Sequence, residues 1–241
     1  MSNVLKQLVP RLAGSASSCV VEQGLVTFVN PYSYMQMRRS GHLLSAFDRV
    51  GIDGISMVRL LRIFLGVQVE RVSFDMTSLA SLVFDKLAAE GKSVFLIGAQ
   101  EQEICNAQEK ISDAFPSLNI TGYRSGYFAN DGARSAAIQQ IIDLNPHAVL
   151  VGMGTPIQEQ FLVDLWQAGW RGAGYTCGGF FHQITKQIDY YPDWVNRMNL
   201  RWAYRIWDEP KLSRRYGIDY PYAAAIFAND AIRYRCRQRR H

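Results

Sequence analysis

The chain has 241 residues, 48% of them hydrophobic, which is enough for a substantial core and too apolar for a disordered chain. From Arg197 onward 11 Lys and Arg stand against 4 Asp and Glu, so this end carries +7 of a total of +5 and residues 1–196 sum to −2. No run approaches the ~20 apolar residues of a membrane-spanning helix, no signal-peptide segment opens the chain, and Cys19, Cys105, Cys177 and Cys236 form no CxxC pair, which points to free thiols in a reducing cytosol.

Gly24–Val29 is an apolar strand candidate broken by Asn30-Pro31, and a polar helix is expected over residues 34–47. A second strand, Arg49–Ile52, runs into Asp53-Gly54. A helix over 56–65 follows, with Val58, Leu61 and Phe64 three apart on one face. Residues 94–98 read as a buried strand ending in glycine, and 101–115 as an amphipathic helix stopped by Pro116. A short strand at 120–123, a helix at 134–144, a strand at Ala148–Gly152, a helix at 157–166 and a strand at 172–176 complete the alternation. Apolar strands alternating with amphipathic helices imply an α/β fold, a parallel, Rossmann-like sheet flanked by helices.

Residues 1–193 are expected to form the catalytic body and residues 194–241 a basic, aromatic, helical appendage. Trp194, Met198, Trp202 and Ile206 recur every four residues, as do Arg197, Arg201 and Arg205, so a helix here carries an apolar stripe beside a basic one. Pro210 and Pro221 should break it. Basic side chains interleaved with aromatics suit phosphates beside an apolar layer, in a nucleic acid or an anionic membrane.

Ligands of open α/β sheets bind beyond the carboxyl ends of the strands. Asn30, Asp53 and the segment Gly152-Met153-Gly154-Thr155-Pro156-Ile157-Gln158-Glu159 all fall there. The glycine turn into a helix offers backbone N–H groups to a diphosphate, or is merely a turn. Asp53 is a turn or N-cap residue, or a general base that takes a proton from an attacking hydroxyl. His42, His147, His182 and His241 are scattered, no DxD-type carboxylate pair is present, and no metal or cofactor site is expected.

The same residues carry a family resemblance. Asn30-Pro31, Ile52-Asp53-Gly54-Ile55, Glu70-Arg71-Val72-Ser73 with Asp75, and Gly126-Tyr127-Phe128 occur in order. The Gly152 to Glu159 segment, Gly178-Gly179-Phe180-Phe181, and Trp202-Ala203-Tyr204-Arg205-Ile206-Trp207-Asp208-Glu209-Pro210 with Arg214-Arg215-Tyr216 follow. Over roughly residues 20–217 the chain resembles the WecG/TagA/CpsF family of inverting bacterial glycosyltransferases.

The resemblance implies transfer of a sugar from a UDP-sugar to a sugar linked through diphosphate to a polyprenol, at the inner face of the cytoplasmic membrane. It implies Asp53 as catalytic base. Asn30, Arg71, Gly154, Gln158 and Glu159 would bind substrates, and Arg205, Arg214 and Arg215 would hold a diphosphate. Trp194 to Trp207 and the cluster from Arg233 to Arg240 would seat the appendage on an anionic bilayer.

Two positions depart from the family pattern: Phe28 stands where a threonine is usual, with Thr27 one place off, and His182 where an aspartate is usual. Asn30-Pro31-Tyr32-Ser33-Tyr34 and Phe74-Asp75-Met76 look most like the xanthan-type branch, which implies β-1,4 glucose transfer in exopolysaccharide synthesis. The competing expectation is an N-acetylmannosamine, or its uronic acid, added to lipid-linked N-acetylglucosamine. Non-catalytic nucleic-acid binding, or a scaffold in the same machinery, is the rival from another class. The near-neutral body argues against a nucleic-acid partner.

Overall fold

The computed structural model describes residues 4–188 and 190–238, without the side chain of Asp193. Six strands, β1 (Gly24–Val29), β2 (Arg49–Ile52), β3 (Ser93–Gly98), β4 (Asn119–Arg124), β5 (Ala148–Gly152) and β6 (Ala173–Thr176), form one sheet in the order β2-β1-β6-β5-β3-β4. Every neighbouring pair is parallel. A parallel strand cannot be reached by a tight hairpin, so each return crosses a face of the sheet and covers it with helices.

Side chains alternate across the strands and feed two cores. On one face Leu25, Val29, Val50, Ile52, Phe95 and Val149 pack under α1 (Val4–Leu8), α2 (Pro31–Met37), α3 (Ile55–Leu65), α6 (Asp131–Leu144) and α7 (Ile157–Gln167). On the other, Val26, Val94, Leu96, Leu150 and Tyr175 pack against α4 (Leu79–Ala89), α5 (Glu101–Ala114) and α8 (Phe180–Lys186). The expected α/β architecture is present.

The helix expected over 34–47 is two pieces. α2 starts earlier because Asn30 caps it, its Oδ1 accepting the Ser33 N–H at 2.9 Å, and Pro31 fits the first turn. It ends at Met37, and a separate 3-10 helix covers Gly41–Ala46. α4 is a helix beyond those expected from the chain, with Leu79, Ala80, Val83, Phe84 and Leu87 buried at helical spacing.

The appendage divides as well. Asn199 takes a left-handed φ of 57° and separates α9 (Asp193–Arg197) from α10 (Arg201–Asp208), so the stripes expected there are interrupted. Pro210 ends α10 as expected. Pro221 instead lies inside a helical run, where a π-helical turn, Arg215–Asp219, passes directly into α11 (Tyr220–Gln238), so it does not break the helix. Tyr190, Tyr191 and Val195 form a small core of their own with Leu200 and Tyr204. α11, by contrast, buries Ala223, Phe227 and Ala231, and the latter two join the main core.

Candidate active site

Strand register creates the site. Val29 pairs with Ile52, so Asn30 and Asp53 leave adjacent strands side by side. The Asp53 N–H bonds Val29 O at 3.0 Å, and Gly54, at φ 87°, then turns the chain into α3. A side chain at Gly54 would be strained in that conformation. With its Oδ1 spent on the α2 cap, Asn30 directs its Nδ2 towards Asp53 Oδ2 at 3.4 Å, a long contact. Among the described residues Asp53 forms no ion pair.

A cavity of about 1020 Å³ opens over these two residues, and Phe28, Arg71, Gly154, Gln158, Arg205 and Arg215 also line it. Its size is that of a site for a large ligand. The chain after β2 adds a strand-like bridge, Ile52 with Arg71, which brings Arg71 to the same edge. Arg71 donates to Ser73 Oγ at 3.2 Å and, among the described residues, has no carboxylate within ion-pair distance. Burial first, and then the like charge of Arg201, lower its pKa from the ordinary arginine value, while Asp75 and Asp53 oppose the shift. An anionic ligand would relieve that destabilised charge.

Arg201 was expected on the basic stripe of a membrane helix. Instead it turns into the body, where its NH1 meets Asp75 Oδ2 at 2.6 Å, its Nε meets Asn196 Oδ1 at 2.6 Å, and its NH2 bonds Thr77 Oγ1. Its guanidinium lies 4.5 Å from the Tyr191 ring centre. A half-exposed stripe at i, i+4 spacing gave no sign of this, because the partner carboxylate lies 126 residues away in sequence.

The turn after β5 carries Gly154, at φ 77°, into α7. Gln158 lines the cavity and accepts the Gly178 N–H at 3.2 Å. Glu159, expected to touch substrate, lies beneath the floor at 1% exposure. Its Oε1 accepts from Thr27 at 2.9 Å, Gln158 at 3.1 Å and Thr155 at 3.1 Å, and Thr176 donates to Thr27 at 3.0 Å. Burial pushes its carboxyl up from the ordinary value, and Oε2 is buried without a hydrogen-bond partner. Thr27 is therefore committed to the floor, and Phe28 presents its ring to the cavity wall and to Phe74, 6.3 Å away.

The appendage closes the far wall. Arg205 pairs with Glu209 at 3.1 Å. A π-helical turn, Arg215–Asp219, carries Arg215 and Tyr216 to the wall. Such turns recur at functional sites. Arg215 stacks 4.2 Å from the centre of the Tyr32 ring, and its Nε is buried with no partner. Arg214, expected to face a diphosphate with it, is exposed and off the cavity wall. Tyr216 and Tyr220 also line the site, and both are raised above the ordinary tyrosine pKa, chiefly by burial, with the Asp53 charge contributing.

His182, the second departure, accounts for its loop: Nδ1 lies 2.7 Å from Glu103 on α5 and Nε2 3.8 Å from Glu209 beside Arg205. The hydrogen bond from His182 is the largest cause holding the Glu103 carboxyl below its ordinary value. Among the described residues no three His, Cys, Asp or Glu converge as metal ligands.

An unpaired carboxylate at the edge of a parallel sheet, facing guanidiniums across a wide cavity, is an arrangement suited to group transfer between anionic substrates, and comparison with known proteins makes the class a glycosyltransferase. The profile of the WecG/TagA/CpsF glycosyl transferase family matches residues 3–240, and the chain belongs to that family. A relative from Shigella boydii, a UDP-Gal:alpha-D-GlcNAc-diphosphoundecaprenol beta-1,4-galactosyltransferase, is 35% identical over 87% of this chain and 87% of its own length. An N-acetylglucosaminyldiphosphoundecaprenol N-acetyl-beta-D-mannosaminyltransferase from Bacillus subtilis (strain 168) is 28% identical over 76% of this chain and 70% of its own. Its namesake from Bacillus spizizenii is 28% identical over 83% and 76%.

Proposed function

We propose that the chain transfers a hexose from a UDP-sugar to a sugar carried on polyprenyl diphosphate, with inversion at the anomeric carbon. One observation supports this above the rest: among the described residues Asp53 forms no ion pair and the buried Nε of Arg215 has no partner, and both line one cavity with Arg71. Asp53 takes the proton of the acceptor hydroxyl as that oxygen bonds the anomeric carbon from the face opposite the diphosphate. The bond from that carbon to UDP breaks, and an α-linked donor gives a β product. Negative charge gathering on the departing diphosphate is met by fixed guanidiniums, Arg71, Arg205 and Arg215, without reorganisation at the moment of reaction. Asn30 orients Asp53, Gln158 and the backbone at Gly154 contact substrate, and Glu159 holds Gln158 from below.

The sugar is the finer question. The higher identity to the galactosyltransferase favours an unsubstituted hexose in β-1,4 linkage over N-acetylmannosamine. Within that class our reading is glucose, in exopolysaccharide synthesis. UDP-glucose, UDP-galactose and UDP-N-acetylmannosamine, each labelled and offered with lipid-linked glucose or lipid-linked N-acetylglucosamine, test this directly. Turnover of glucose alone supports the reading, galactose corrects the sugar, and N-acetylmannosamine overturns the hexose class.

The reaction needs access to a lipid headgroup. No helix among the described residues is long and apolar enough to cross a membrane, and the appendage exposes Trp194, Met198, Trp202 and Trp207. Such aromatics suit the interfacial layer of a bilayer, so we assign peripheral attachment at the cytoplasmic face and no nucleic-acid partner. Arg239 and Arg240, included in the basic cluster expected there, lie outside the described residues.

A further inference from the structure

The near-neutral body hides a charge separation. Residues 1–66 carry seven Lys and Arg against three Asp and Glu, a net of +4, so residues 67–196 carry −6. The fold gathers the positive part into one layer. α11 lies between α2 and α3, with the Phe227 ring centre 5.1 Å from that of Tyr34 and 6.4 Å from that of Phe64. α3 and α11 run side by side in the same direction: Arg59 and Ala224, towards their starts, both line the cavity, and the Arg235 guanidinium comes within 3.6 Å of where a side chain on Gly66 would begin.

Neither α2 nor α3 contains a carboxylate, and the single one on α11, Asp230, is tied to Arg38 at 2.8 Å. What remains on the solvent side is Arg39, Arg59 and Arg62 from the body with Arg233, Arg235 and Arg237 from α11, all exposed. Two large aliphatic side chains stand among them, Ile63 at 68% exposure and Ile232 at 57%.

We propose that this α2–α11–α3 face is a seat for an anionic lipid bilayer, supplied in part by the catalytic body and distinct from the tryptophan-bearing helices α9 and α10. Three arguments select a bilayer. The three helices carry no carboxylate other than the paired Asp230, so the field of their cations reaches a planar anionic surface with little cancellation from the helices themselves. The exposed isoleucines gain nothing from a nucleic acid but bury in the headgroup layer. The face also meets the cavity mouth at Arg59, so a chain seated this way opens its site beside the membrane. The seat deepens the lipid-linked reaction proposed above and rests on that reading for its purpose.

The test uses the full chain and flotation with vesicles of phosphatidylcholine, with and without phosphatidylglycerol. Arg39 and Arg62 are exposed and off the cavity wall. Each basic side chain at an anionic surface is worth about a fivefold gain in partition, so Arg39→Gln with Arg62→Gln should weaken binding to the anionic vesicles about 25-fold. Lys110→Gln with Arg171→Gln removes the same charge from the other half and should leave partition unchanged. Transfer to a water-soluble, short-chain acceptor should stay at the wild-type rate in both pairs, which also shows that both fold. Wild-type partition in the Arg39/Arg62 pair, an equal loss in the control pair, or binding of the wild type to duplex DNA but not to vesicles overturns the proposal. A wild-type chain that seats through this face yet transfers no sugar would sink the proposed reaction and leave the seat standing.

Discussion

The two halves of the sheet contribute opposite things to one cavity. The β1–β2 half, with α2, α3 and α11 packed on it, is cationic and supplies Asn30 and Asp53. The β3–β5 half is anionic on its helices and supplies the uncharged rim, Gly154 and Gln158. A carboxylate left unpaired in the positive half and guanidiniums left unpaired above it are the two states that a folded protein ordinarily removes. Retaining both is costly, and substrate that brings a hydroxyl and a diphosphate satisfies both. Asp75 is the contrasting case: it lines the same cavity but is committed to Arg201 and cannot take a proton at the same time without breaking that pair.

The largest expected effect comes from breaking that commitment. Asp75→Asn leaves the Arg201 guanidinium buried without its counter-charge and should cost about 3–5 kcal/mol. Thermal melts read this at about 2–4 °C per kcal/mol for a chain of this length. An unchanged melting temperature would mean that the appendage is not held to the body by this pair.

Next comes Arg215→Ala. Removing one preorganised donor from a developing charge costs about 10²–10³ in kcat, whereas Arg214→Ala, on the exposed neighbour, should stay within about twofold of wild type, as surface changes usually do. Equal losses would erase the distinction that the π-helical turn draws between them.

The smallest effect concerns the floor. Glu159 has a folded-state pKa raised by burial, so the folded chain holds a proton that the unfolded chain releases above the ordinary glutamate value of 4.5. Stability contributed by this group is therefore greatest at low pH and falls as pH rises beyond that value. Glu159→Gln cannot charge, so as pH rises from 4.5 its melting temperature should fall less than that of wild type. Parallel pH slopes for the two proteins would contradict a Glu159 carboxyl raised by burial.

Much of this was legible in the chain itself. β1 and β2 were bounded correctly because each is an apolar run cut by a turn residue, at Asn30-Pro31 and Asp53-Gly54. The same positions located the sheet edge, and with it Asn30 and Asp53. What the sequence could not convey was the outcome of long-range pairing. Arg201 and Arg205 share a helical stripe, yet Arg205 pairs locally with Glu209, four residues on, while Arg201 reaches Asp75, 126 residues away. Glu159 and Gln158 are adjacent, and only the helix phase at the start of α7 decides which faces the cavity and which the floor. Tyr191 gave no signal at all, and Tyr32 only as part of the Asn30 to Tyr34 stretch, since a tyrosine under a guanidinium reads like any other tyrosine in the chain.

The central claim is that Asp53 is the base. Asp53→Asn preserves shape and the contact with Asn30 while removing the proton acceptor, so the decisive measurement is its kcat and donor KM on the lipid-linked acceptor. The account predicts a fall in kcat of about 10²–10⁴ with donor KM close to wild type and an unchanged melt. A variant that turns over at the wild-type rate would contradict it.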